Sequence, residues 1–195
     1  MSESRMIHRE TPSQTVGPYF SMRLAAPGEN VISASDGEPI VITGTVLDGA
    51  RNHIEDALLE LWQAGPSGRY NHPDDTRDLP LDSGFTGFAR TMSDFKAGIY
   101  RFETVKPGPV PDAEGAFQAP HISMVIQGRG ILNPYFTRIY FSDEEEANND
   151  DLILRGIPEP RRSTLIANLV DGSNPKEYVF DVRFQGDDET VFFDF

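Results

Sequence analysis

From Ile40 onward the chain is written in short apolar runs separated by turn formers. "IVITGTVLD" (40–48) is rich in β-branched residues and stops at the turn "DGARNH". "ALLELWQ" (57–63) reads as a buried strand. "IYRFETV" (99–105) alternates, with Tyr100 and Phe102 on one face and Ile99, Arg101 and Glu103 on the other. "HISMVIQ" (121–127) and "FTRIYF" (136–141) predict two further strands, joined through "GRGILNPY". "YVFDVRF" (178–184) and "TVFFDF" (190–195) predict a closing pair with "QGDDE" as its hairpin loop.

Helix is scarce. "SDEEEANNDDLIL" (142–154) opens with Ser142 as a cap and acidic residues in the first turn, then meets asparagines and aspartates that keep it short. "PRRSTLIANL" (160–169) predicts a second brief helix opened by Pro160. Seven or more short strands with Gly/Pro turns predict an all-β fold with a β-sandwich core over residues 39–195. Residues 1–38 form an irregular arm in which Val16, Tyr19 and Phe20 need a surface to lie against, either the chain's own domain or a partner.

Composition narrows the function. The net charge of −14 disfavours nucleic-acid phosphate and anionic lipid as partners. No apolar run reaches the length of a membrane span, and the N-terminus "MSESRMIHRE" lacks the apolar core of a secretory signal. The absence of cysteine removes disulfide and thiolate chemistry and fits a cytoplasmic protein. No phosphate-cradling loop, zinc-protease helix or serine-nucleophile elbow is present.

The histidines are scattered: His8 in the arm, His53 in a turn, His72 in a loop and His121 at the start of a strand. His53 and His72 read as solvated loop residues. His121, after Pro120, reads as a hydrogen-bonded structural residue or as a metal ligand. A second histidine at position 123 would place two imidazoles on one strand face, but that residue is Ser123. Arg129, between two glycines, reads either as a solvent-facing turn residue or as a fork for a carboxylate. Gly17-Pro18 reads as a rigid bend presenting backbone carbonyls, or as a plain chain reversal.

"TPSQTVGPYF", "LELWQAGPSGRY", "TVKPGPVP", "APHISMVIQGRG", "TRIYF" and "GDDETVFFDF" occur in this order along nearly the whole chain. Jointly they make the chain resemble the intradiol ring-cleavage dioxygenases, and within them the alpha chains of the two-chain members acting on protocatechuate. The resemblance implies a β-sandwich and an Fe(III) held by two tyrosines and two histidines in the catalytic chains. It also implies cleavage of a catechol ring by O2 between the hydroxylated carbons, giving 3-carboxy-cis,cis-muconate from protocatechuate.

Matched residue by residue, Tyr70 and His121 keep two ligand positions. Val110 stands where the second tyrosine would be, Ser123 where the second histidine would be, and Gln118 where an arginine would be. Valine has no donor atom and a serine hydroxyl is a poor neutral ligand. The resemblance therefore implies no catalytic residue and no metal in this chain, with the iron carried by a homologous beta chain in a hetero-oligomer. It further implies that the arm packs on that partner and that Gly17, Pro18 and Arg129 border the partner's pocket. A non-catalytic structural or binding module is the alternative expectation.

Overall fold

The computed structural model describes residues 12, 14, 16, 17, 19, 20, 23–111 and 115–194. Among the described residues eleven strands carry the fold: β1 (Pro39–Leu47), β2 (Leu58–Gln63), β3 (Phe88–Met92), β4 (Ile99–Val105), β5 (Val110–Pro111), β6 (Phe117–Gln118), β7 (His121–Gln127), β8 (Tyr135–Phe141), β9 (Ile166–Leu169), β10 (Lys176–Val179) and β11 (Val182–Arg183). β4 and β10 flank β1, while β3, β2, β7 and β8 follow one another in a second half. β9 joins the halves, pairing antiparallel with β10 and parallel with β8. β5 and β6 form a separate two-stranded ribbon.

The core lies between the halves. Ile40, Ile42, Tyr100 and Phe102 from one side meet Leu59, Leu61, Ile122, Met124 and Ile139 from the other, all at most 1% exposed. Alternation decides which residues enter it: Ile122, Met124 and Ile126 of β7 are buried, and the residues between them face the opposite way.

Most predicted strands form at the predicted places, and three readings are corrected. "TVFFDF" is not a strand partner of "YVFDVRF": Phe193 makes a single bridge to Phe136, and Phe192 packs its ring on Tyr135 and Phe184 instead. "PRRSTLIANL" is helical only in part, with α3 at Glu159–Arg162 followed by a tight turn and then β9. Ser142 caps no helix: its Oγ accepts the Leu169 amide, while Asp143 binds Lys106, Lys176 and the Tyr178 hydroxyl. Two other short helices stand here, α1 (Glu145–Asp150) and α2 (Leu152–Gly156), and the side chain of Asp151 caps the second.

The later part of the N-terminal arm lies on the chain's own β4. The Ile32 amide donates to Glu103 O (2.9 Å), the Glu103 amide donates to Asn30 O (3.0 Å), and Ile32 is buried. Gly17 has φ +73°, a left-handed bend that a Cβ would strain, whereas Pro18 and His8 lie outside the described residues. Among the described residues, no helix is long and apolar enough to cross a membrane.

Candidate functional site

Two glycine-bearing loops build the site by crossing at close range. In "AGPSGRY" Gly68 has φ +80°, and a Cβ there would sit 2.1 Å from Pro109 O. In "KPGP" a Cβ on Gly108 would sit 2.3 Å from Pro66 O, and the Gly108 amide donates to Gly65 O (3.0 Å). The glycines thus let the two backbones touch, which sets Tyr70 beside Val110. Both residues line one cavity of about 670 Å³ together with Trp62, His72, Asp75 and Arg77. Tyr70 stacks on Trp62 (5.9 Å between centroids, 14° between planes). The Tyr70 amide donates to Asp75, whose carboxylate the Arg77 guanidinium holds well below the usual range. Burial pushes the Tyr70 phenol up.

The outward face of the β2–β7–β8 ladder adjoins this cavity through Trp62, which lines it and pairs with Ser123. Ser123 pairs with Trp62 on one side and with Arg138 on the other, and His121 pairs with Tyr140. One sheet face therefore carries His121, Ser123, Trp62, Arg138 and Tyr140. His121 is 3% exposed, and its Nδ1–H donates to Ala119 O (2.8 Å). Burial first, then the Arg138 charge, depress its pKa to about 4. Arg138 Nη1 donates to Gln118 Oε1 (2.7 Å) and reaches the Tyr140 hydroxyl (3.4 Å), and its guanidinium stands over the Phe193 ring (6.0 Å). Burial pushes the Tyr140 phenol up to about 12. Asp151, fully buried, accepts the amides of Ala119, Ile153 and Leu154, tying the corner before His121 to α2.

The donor set does not fit a ferric ion. Of the four ligand positions implied by the resemblance, Val110 offers no donor and Ser123 faces a guanidinium. Tyr70 and His121 are the two positions of the four that keep a side chain a ferric ion takes, and two are too few to hold it. Among the described residues no three His, Asp or Glu side chains converge as a metal-binding group.

The unfolded chain protonates His121 near its ordinary 6.5, and the folded chain only near 4. Between those values the folded state holds fewer protons, so this stability is present above pH 6.5 and is lost as pH falls through the window. Lowering the pH from 7 to 5 is expected to cost roughly 2 kcal/mol through this residue. Urea unfolding of the native chain and of His121→Gln at both pH values measures it. Identical pH slopes for the two proteins would refute it.

The structure separates Arg129 from this cavity. His121 starts β7, and Arg129 follows its far end across a strand of seven residues, a span of about 20 Å. Arg129 Nε pairs with Asp56 (2.7 Å), and the arginine side chain is 52% exposed while Asp56 is buried. Gly17 is not among the residues lining the Tyr70 cavity. His53 is exposed in its turn, and His72 packs edge-on against Trp62. Sequence reasoning missed Arg138, Asp151 and the Trp62–Tyr70 stack. Arg138 was detectable in principle, as a cation in "FTRIYF" at the parity opposite to the buried Ile139. Asp151 was detectable as the aspartate before "LIL", a cap position.

The family model described as Dioxygenase matches residues 15–186. The chain is 44% identical over 200 residues to the protocatechuate 3,4-dioxygenase alpha chain of Burkholderia cepacia, covering 95% of this chain and 98% of that protein. It is 36% identical to the beta chain of the same organism's enzyme, over 79% of this chain and 67% of that protein. In fold it is similar to the dioxygenase domain of a dioxygenase–carbohydrate-binding fusion from Streptomyces sp. SirexAA-E. That likeness has a TM-score of 0.61 and 24% identity, covering 94% of this chain and all of that one.

Proposed function

Starting from its membership of the intradiol ring-cleavage dioxygenase family, as a subunit of an enzyme of that class, we propose that this chain works as the iron-free alpha subunit of a protocatechuate 3,4-dioxygenase. The observation that carries this reading is the joint loss of donor atoms at Val110 and Ser123 in a chain similar to an alpha chain over almost its full length. A homologous beta chain supplies Fe(III), which activates the bound catechol for reaction with O2. The substrate is 3,4-dihydroxybenzoate. Both oxygen atoms enter the product, 3-carboxy-cis,cis-muconate, as the ring bond between the hydroxylated carbons breaks. The complex works in the cytoplasm.

In this reading the chain's own residues shape and charge a pocket at the junction with the partner. The part of the arm ahead of Glu29 lies on the beta chain, Gly17 and Pro18 present a bend to the pocket wall, and Arg129 draws and orients the substrate carboxylate. The separation of Arg129 from Tyr70 and His121 supports this division, because an arginine at the far end of β7 serves a pocket that another chain completes. Its charge also offsets locally the repulsion an anionic substrate meets from a chain of net charge −14.

Purified alone, the chain is expected to be colourless, free of iron and without O2 uptake on 3,4-dihydroxybenzoate. Coexpressed with a homologous "HIH"-bearing chain, it should give a red complex that consumes O2 with that substrate. A coloured, iron-loaded and active chain without a partner would overturn the assignment.

A further inference from the structure

We infer that the guanidinium of Arg138 takes the place of a metal cation in the Tyr70–His121 site, and that this fixed charge, together with the absent donors, keeps metal ions out. The inference goes beyond the missing ligands, which explain weak binding but not what fills the site in their absence. Arg138 stands directly across from Ser123 in the β7–β8 ladder, on the sheet face to which a histidine at 123 would point. It is held there on several sides: Gln118 Oε1 accepts from Nη1 at 2.7 Å, the Tyr140 hydroxyl lies 3.4 Å away, and Phe193 offers its ring face. Those contacts fix the plane and position of the guanidinium. A fixed charge of this kind is a substituent of the site and not a mobile surface residue.

The physical consequence is a barrier to metal loading. A divalent or trivalent ion bound by His121 and a histidine at 123 would lie within a few ångströms of a held positive charge, and such repulsion is large away from bulk water. Gln118 reinforces the arrangement. It occupies the position where the family resemblance places an arginine, and its amide oxygen accepts from Arg138.

The test restores donors with and without the cation. Ser123→His places two imidazoles at i and i+2 on β7, and Zn²⁺ binding to the purified full chain is measured by calorimetry in that variant and in Ser123→His/Arg138→Gln. Removing Arg138 is expected to tighten Zn²⁺ at least about tenfold. The same comparison with Val110→Tyr added is read by ferric iron content and visible absorption. Circular dichroism and the unfolding midpoint establish that each variant is folded, and the Ser123→His pair carries the test if the Val110→Tyr chains are not. Equal affinity with and without Arg138, including no binding in either, overturns the inference. That result is separate from the alpha-subunit reading, which stands or falls on the iron content and activity of the unmodified chain.

Discussion

Asp151→Ala is expected to lower the unfolding free energy by about 4 kcal/mol, enough to remove much of the stability of a domain this size. Asp151 is fully buried and accepts three backbone amides with one carboxylate. Oδ1 accepts the Ile153 and Leu154 amides and so caps α2, and Oδ2 accepts the Ala119 amide at 2.8 Å. Losing a helix cap costs about 1 kcal/mol, and a buried amide left without an acceptor costs roughly 1–3 kcal/mol more. The space left beneath Tyr140, Leu154 and Leu165, which pack together around Ala119, adds to it. Asp151→Asn separates the parts. Its oxygen can still cap α2, but its NH2 meets the Ala119 amide donor to donor, so an intermediate loss of about 2 kcal/mol is expected. Urea unfolding of the three proteins measures both values, and a loss below about 1 kcal/mol in the alanine variant would show that water takes over these contacts. The corner matters to the site because Ala119 O holds His121 Nδ1. The amide resonance of residue 119 should therefore shift in both variants.

In the assembled two-chain enzyme, Arg129→Ala is expected to reduce kcat/KM for 3,4-dihydroxybenzoate about 100-fold, the size of one lost charge-assisted hydrogen bond. Unsubstituted catechol, which has no carboxylate, should lose less than about threefold. The contrast between substrates is what identifies a substrate contact. Arg129 Nε also pairs with Asp56, a buried residue with φ +59°, so truncation leaves that carboxylate without its cation. A loss of local structure alone would slow both substrates alike. Asp56→Asn provides the converse control, since it releases the guanidinium without removing it. Steady-state O2 uptake with the two substrates, beside the unfolding midpoint of each variant, decides the matter. Equal losses on both substrates, or none on either, would exclude Arg129 from the substrate pocket.

The parts of the fold legible in the chain were those whose signal is local. β1, β2, β4, β7 and β8 show β-branched, alternating or apolar runs bounded by turn residues, and each forms where that pattern lies. "TVFFDF" shows the same signal and still fails to pair as predicted. Its amide at Phe193 finds Phe136 O (2.8 Å), while Phe192 is taken up by an aromatic cluster with Tyr135 and Phe184. Strand propensity says that a segment can extend, and the neighbouring edge decides whether it pairs. "IANL" misled in the other direction. Reached through a helical turn, it becomes β9, the strand that joins the two halves, because the edge of β8 is open to it.

For the site, the sequence by itself determined which donor atoms positions 110 and 123 can offer. A valine at 110 and a serine at 123 lack strong donor groups wherever the chain places them, because donor chemistry belongs to the side chain alone. It also determined, through the order of its motifs, the family to which the chain belongs. Only the tertiary structure decided which side chains neighbour positions 110 and 123 and where the remaining candidates lie. Arg138 stands beside Ser123 because of the β7–β8 register, Asp151 joins Ala119 to α2 across 32 positions of sequence, and Arg129 ends a strand's length away from His121. Each of these depends on which strands are neighbours and in what register, and that is set by the packing of the whole core.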